Sequence, residues 1–264
     1  MRSDRVISLI AFFVITLSFF GCKKVIDVDL KNADTQLVIT GEVNNRPGPY
    51  HVNISKSVNF SSDNIFPPVS DAFVTITGNG LIDTLAETMP GDYTTHNFTG
   101  VPGFTYQLHV ETDGHVYTAT SKMPQAVHID SITFLEGIDN RLYPVVNFQD
   151  PPGVVNFYRF IEYADNASFN SIGENSIFDD RLSDGRYINL ALYDDNDSSR
   201  IKPGIKLTVE MDCVDENVYN YFNGLLQISS PGSPSPGNPP TNITGGALGY
   251  FSANAKTLRV VEIP

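Results

Sequence analysis

The chain has 264 residues, a formal charge of −13 at neutral pH, two cysteines and no tryptophan. That acidity weighs against nucleic acid as a partner and against electrostatic adsorption to anionic lipid headgroups. The missing tryptophan lowers a carbohydrate-binding reading, and the length allows one large β domain or two ordinary ones.

Arg2 and Arg5 form a basic head, followed by an apolar run from Val6 to Phe20 broken only by Ser8, Thr16 and Ser18. The run is short for a transmembrane span, which needs about 20 residues. The basic flank and the small-residue exit Gly21-Cys22 fit a cleaved export signal over residues 1–21. Cys22 completes a bacterial lipoprotein box, with Phe19 where leucine usually stands. Cys22 is therefore expected to become an acylated N-terminus, anchored in the lipid bilayer by two or three chains. Lipidation of Cys22 leaves Cys213 alone, so no intrachain disulfide is expected.

Residues 22–36 read as a tether carrying a first strand, in which Ile26, Val28 and Leu30 alternate with Asp27 and Asp29. From Leu37 a period of two dominates, the mark of half-buried strands. Leu37, Ile39 and Val43 form one such set, Tyr50, Val52 and Ile54 a second, and Ala72, Val74 and Ile76 a third. Clusters such as Asn44–Pro49 and Gly78-Asn79-Gly80 separate them. Around Asp113-Gly114 the sequence predicts a hairpin with a type I′ turn. Counting outward pairs Val110 with Tyr117 and Leu108 with Ala119 on a buried face, and His109 with Thr118 on the other.

Met123-Pro124 breaks the pattern and is read as a boundary between a module over 37–124 and a second over 125–264. Further strands are expected at Ile129–Leu135, Tyr143–Phe148, Asn156–Tyr163, Tyr187–Tyr193, Ile205–Cys213 and Leu258–Ile263. Cys213 is in register with Leu207, Val209 and Met211, as a buried core thiol would be. Asp215 can cap a short helix near 215–227, with Val218, Tyr221, Phe222 and Leu225 on one stripe and Gly224 weakening it. The segment 229–240 holds five prolines and two glycines in twelve residues and reads as an exposed loop. The fold class expected is all-β: two antiparallel, immunoglobulin-like β-sandwich modules with one short helix in the second.

Three stretches resemble one family. The start Cys22-Lys23-Lys24-Val25-Ile26-Asp27-Val28-Asp29-Leu30 resembles its cysteine followed by V-I-D-I-D-L. Val69–Ile76, Gly91-Asp92-Tyr93, Gly103–Tyr106 and Met123-Pro124 resemble its first domain. Asp150-Pro151-Pro152-Gly153, Asn156–Phe160 and Asn242–Ala253 resemble its second. The family is the Bacteroidota lipoprotein group called domain of unknown function 4249. The first half also looks like the immunoglobulin-like modules of carboxypeptidase regulatory regions and of TonB-dependent receptors. The resemblance implies an outer-membrane accessory protein beside such a receptor, and it supplies no catalytic residues.

Catalytic signatures are missing from the sequence: it has no G-x-S-x-G elbow, H-E-x-x-H helix, C-x-x-C pair or phosphate-binding glycine loop. His51, His96, His109, His115 and His128 show no helical pairing, and neither a metal site built from them nor a cofactor is expected. Of the acidic runs Asp179–Asp184 and Asp194–Ser199, the second alternates oxygen-bearing side chains as a calcium loop does, but it lacks the glycine and distant glutamate of an EF-hand and reads as a solvated hairpin turn. Asp83-Thr84-Leu85 and Asp130-Ser131-Ile132 resemble O-glycosylation acceptors. The glycine-aromatic motif reads as a backbone turn feeding the final strands or as a partner contact, through Asn242, Gly245, Gly246, Tyr250 and Phe251. The expectation is a non-catalytic, outer-membrane-anchored accessory lipoprotein, facing the periplasm or the surface, that presents loops to a TonB-dependent transporter. A structural or adhesive envelope lipoprotein and an envelope hydrolase are the alternatives.

Overall fold

The structure is a computed structural model, and it describes residues 34–59, 63, 65–137, 141–165, 167–168, 177–193, 201–229 and 237–264. The export signal, Cys22, the expected first strand, the run Asp194–Ser199 and most of the proline-rich segment lie outside the described residues. The all-β expectation holds. Among the described residues one sheet contains nine strands: β1 (Leu37–Asn44), β2 (His51–Lys56), β5 (Ala86–Met89), β6 (Asp92–Thr94), β11 (Phe157–Ala164), β12 (Ala167–Ser168), β13 (Ile177–Asp179), β15 (Lys206–Val214) and β17 (Leu248–Glu262). A second contains β3 (Phe73–Gly78), β4 (Leu81–Thr84), β7 (Thr105–Thr112), β8 (His115–Lys122) and β16 (Ile243–Thr244). A third contains β9 (Ser131–Glu136), β10 (Leu142–Gln149) and β14 (Tyr187–Ala191). Helix α1 runs from Glu216 to Ser229.

The hairpin β7–β8 follows the register read from the sequence. Val110 faces Tyr117, Leu108 faces Ala119 and His109 faces Thr118. Asp113 and Gly114 sit at φ +51° and +74°, as a type I′ turn demands, and Leu108, Val110 and Ala119 are buried. Period-two alternation also places Ile39, Val43, Val52, Ile54, Val74 and Ile76 inside.

The expected boundary at Met123-Pro124 does not divide the molecule. Thr35 to Pro264 forms one compact unit. β1 from the first half pairs with β17 from the last, in parallel, with Ile39 opposite Gly249 and Gly41 opposite Phe251. The large sheet therefore is not purely antiparallel, and it runs without a break from β12 on one side to β5 on the other. Met123 itself is fully buried, and its backbone bonds Gly103 and Phe104. One apolar core draws on all three sheets, including Val52 and Phe251, Leu108 and Val110, and Val146 and Phe148. Full burial of each such side chain stabilises by about 1.5–3 kcal/mol.

β17 far exceeds its predicted length, while helix α1 lies within two residues of its predicted span. β17 begins at Leu248, ten residues before the predicted start, and so contains the aromatic pair expected in a turn. Gly249 permits this: its φ is +98°, and a Cβ there would stand 2.0 Å from the Ile39 carbonyl oxygen. Helix α1 runs through Gly224 as predicted, and Gly224 there is a contact surface, where Pro239 and Pro240 approach so closely that a Cβ would meet Pro240 at 2.7 Å.

Candidate functional site

The residues singled out in the glycine-aromatic motif are mostly structural. The Asn242 side-chain amide donates to the Phe251 carbonyl at 2.7 Å and accepts from the Phe251 N–H at 3.0 Å, imitating a neighbouring strand. Phe251 is fully buried in the core, which removes it as a partner contact. Gly245 and Gly246 form an exposed turn at φ +93° and +89°. Tyr250 lies half-buried against α1, its ring 4.7 Å from that of Tyr221 and 5.1 Å from that of Phe222. Of the five, Tyr250 lines a cavity, a shallow one of about 290 Å³ shared with Glu42, His51 and Asn53. Of the O-glycosylation candidates, Thr84 is exposed on β4, at the edge of its sheet, and Ser131 is half-buried at the start of β9.

Below that cavity, strand register gathers charges on the face of the large sheet opposite the apolar core. Lys256 Nζ lies 2.8 Å from Glu210 Oε1 and 3.3 Å from Glu42 Oε1. Burial disfavours the Lys256 charge, but Asp212, Glu42 and Glu210 outweigh it and raise its pKa. Burial likewise works against ionised Glu42, yet Lys256 and the Asn44 amide hold its carboxyl below the usual range. Asp212 goes the other way. Desolvation, with the charges of Glu42 and Glu210, pushes it up to about 8. Among the described residues neither oxygen of Asp212 has a hydrogen-bond partner, and Arg159 stays 3.9 Å away while its guanidinium covers the Phe222 ring at 4.2 Å. On the opposite, apolar face of the same strand, burial pushes the Cys213 thiol up to about 12, which suits an inert core residue.

A larger cleft, about 480 Å³, opens where three distant segments meet: Lys122–Gln125, Pro151–Phe157 and Val214–Glu216. That volume falls in the range of small-ligand and peptide-side-chain sites. Met123, Phe157 and Val214 give it buried apolar walls, while Val154 and Val155 stand at its rim, 63% and 51% exposed. Val101 and Phe104, on the turn carrying the cleft residue Gly103, are also exposed. Asp215 fixes the wall. Its Oδ1 accepts the Val218 N–H at 3.0 Å, capping α1, while Oδ2 accepts the Ser121 hydroxyl at 2.5 Å and the Lys122 N–H at 3.1 Å. Ser121 Oγ in turn accepts the Ala253 N–H at 2.8 Å, so one carboxylate ties helix, hairpin and central strand together.

Sequence reading missed this cleft because its walls lie some ninety residues apart along the chain. One local signal was present: two consecutive β-branched apolar residues directly after Asp150-Pro151-Pro152-Gly153, in a loop that cannot bury them.

A family model, Domain of unknown function (DUF4249), matches residues 23–259. The chain belongs to that family. No curated protein matches it. Among solved structures, a DUF4785 family protein from Legionella pneumophila subsp. pneumophila str. Philadelphia 1 is similar at 11% identity and TM-score 0.25. That similarity covers 69% of this DUF4249 chain and 53%, about half, of the Legionella chain. A segment of two fibronectin type-III domains from chicken tenascin is similar at 12% identity and TM-score 0.21, covering 69% of this chain and 92% of that one. Likenesses this distant add nothing to the argument from geometry.

Proposed function

We propose that this DUF4249 chain is a non-catalytic lipoprotein, anchored in the outer membrane through acylated Cys22, that serves as an accessory subunit of a TonB-dependent transporter. The cleft beside Val154 and Val155 carries the reading: an apolar site with exposed β-branched residues at its mouth and a wall braced by Asp215. Such a site suits docking of an apolar loop from a partner, because its walls need no reorganisation on binding. The signal over residues 1–21 and the tether after Cys22 support membrane attachment, which raises the local concentration of the docking face.

The test is co-purification at native expression from detergent-solubilised outer membranes. Val154→Asp/Val155→Asp, at exposed positions, leaves the protein folded and anchored but abolishes recovery of the transporter. Cys22→Ala releases the chain from the membrane fraction and lowers recovery through loss of proximity. Full recovery with the double aspartate variant removes the cleft from the account.

A further inference from the structure

We propose that Asp150, Asp180 and Asp184 form a binding site for a calcium ion. Asp150 follows β10, while Asp180 and Asp184 bracket the turn between β13 and β14, and the antiparallel pairing of β14 with β10 brings them together. One carboxylate oxygen from each lies within 4.8 Å of the others. Oxygens on opposite sides of a calcium ion, bonded at about 2.3–2.6 Å, stand roughly 4.6–5.2 Å apart, so all three fit around one ion.

The carboxylates are held in place by the loops they join. Asp150 Oδ1 accepts the Tyr158 hydroxyl at 2.5 Å, and its Oδ2 accepts the Gly185 N–H at 2.8 Å. Asp180 Oδ1 accepts the Asn156 N–H at 2.9 Å, and Asp184 Oδ1 accepts the Gly153 N–H at 2.8 Å. Those bonds leave a specific deficit. Asp180 is fully buried, yet its Oδ2 has no hydrogen-bond partner among the described residues. The side-chain oxygen of Asn156, whose N–H holds Asp180, is buried and partnerless too. A buried carboxylate oxygen with no donor, set among other carboxylates, calls for a cation or for a proton shared with Asp150. Arg181, next in sequence, does not supply one, since its guanidinium grips Asp179 at 2.8 and 2.9 Å. Burial and the charge of Asp150 push the Asp180 carboxyl up to about 6.

Calcium fits the donor set, which is all oxygen and irregular, and exposed Asp184 leaves a side open for water to complete a shell of six to eight ligands. Three carboxylates without a dedicated loop point to an affinity on the order of 10⁻⁴–10⁻³ M, as in extracellular modules.

The experiment uses the full chain, stripped with EDTA, and reads two signals. Tyr158 touches Asp150 and the chain has no tryptophan, so terbium bound here emits on tyrosine excitation against a low background. The expected result is saturable emission that calcium displaces, and a melting temperature raised by about 3–5 °C at a tenfold excess of calcium over its Kd. Asp184→Asn, at an exposed position, weakens terbium binding at least tenfold, and Asp180→Asn removes the calcium-dependent shift. Unchanged terbium binding in both variants would overturn the proposal. So would a wild-type chain indifferent to calcium while Asp180→Asn alone raises the melting temperature, because the trio would then be a proton-sharing cluster.

Discussion

Gly249 and Phe251 show how one residue's geometry sorts scaffold from surface. Gly249 sits at φ +98° with a backbone oxygen where its Cβ would be, so Gly249→Ala must shift β17 away from β1. A loss of about 3 kcal/mol or more is expected in urea unfolding. Phe251→Ala empties a fully buried site and is expected to cost about 3–5 kcal/mol. The glycines and aromatics of this motif were legible in the sequence as special, but their role was not, since backbone approach and loop contact call for the same residue types. Asp212 gives a pH signature. Folded Asp212 keeps its proton up to about pH 8, whereas in the unfolded chain it loses it near 3.8. Its contribution is therefore complete below pH 3.8 and declines as pH rises to about 8. Asp212→Asn is expected to match wild type in melting temperature below about pH 4 and to exceed it by several degrees at pH 9.

At the scale of elements, hairpin β7–β8 and helix α1 show what local signals carry. The Asp113-Gly114 turn fixed a register that the hydrophobic pattern confirmed, so both signals agreed on one pairing. The cap residue, apolar stripe and span of α1 were equally legible, while the reason for Gly224 was not. Gly224 lowers intrinsic propensity, but the prolines packed on it make glycine the residue that fits. Asp215 was readable as a cap and not as a clamp. Asp215→Ala removes the cap and also the bonds to Ser121 and Lys122. The expected loss, about 2–3 kcal/mol by thermal melting, exceeds the roughly 1 kcal/mol of an ordinary cap.

The whole molecule is where sequence reading erred most. A prolyl break and a change of motif at Met123-Pro124 looked like a domain boundary, because strand pairing between residues two hundred positions apart leaves no local mark. The β1–β17 ladder makes the halves interdependent. A fragment spanning 37–124 is expected to lack the dispersed amide spectrum of a folded domain, since β1 loses β17 and the core loses Phe251 and Ala253. A well-dispersed spectrum would restore the two-module reading. The same interdependence lets segments from both halves build the cleft on which the functional proposal rests. Co-purification of the anchored chain from outer membranes, wild type against Val154→Asp/Val155→Asp, tests that claim most directly. Stoichiometric recovery of a TonB-dependent transporter is expected with wild type, and its loss with the variant. Wild-type chain recovered alone, still acylated and in the membrane, would contradict it.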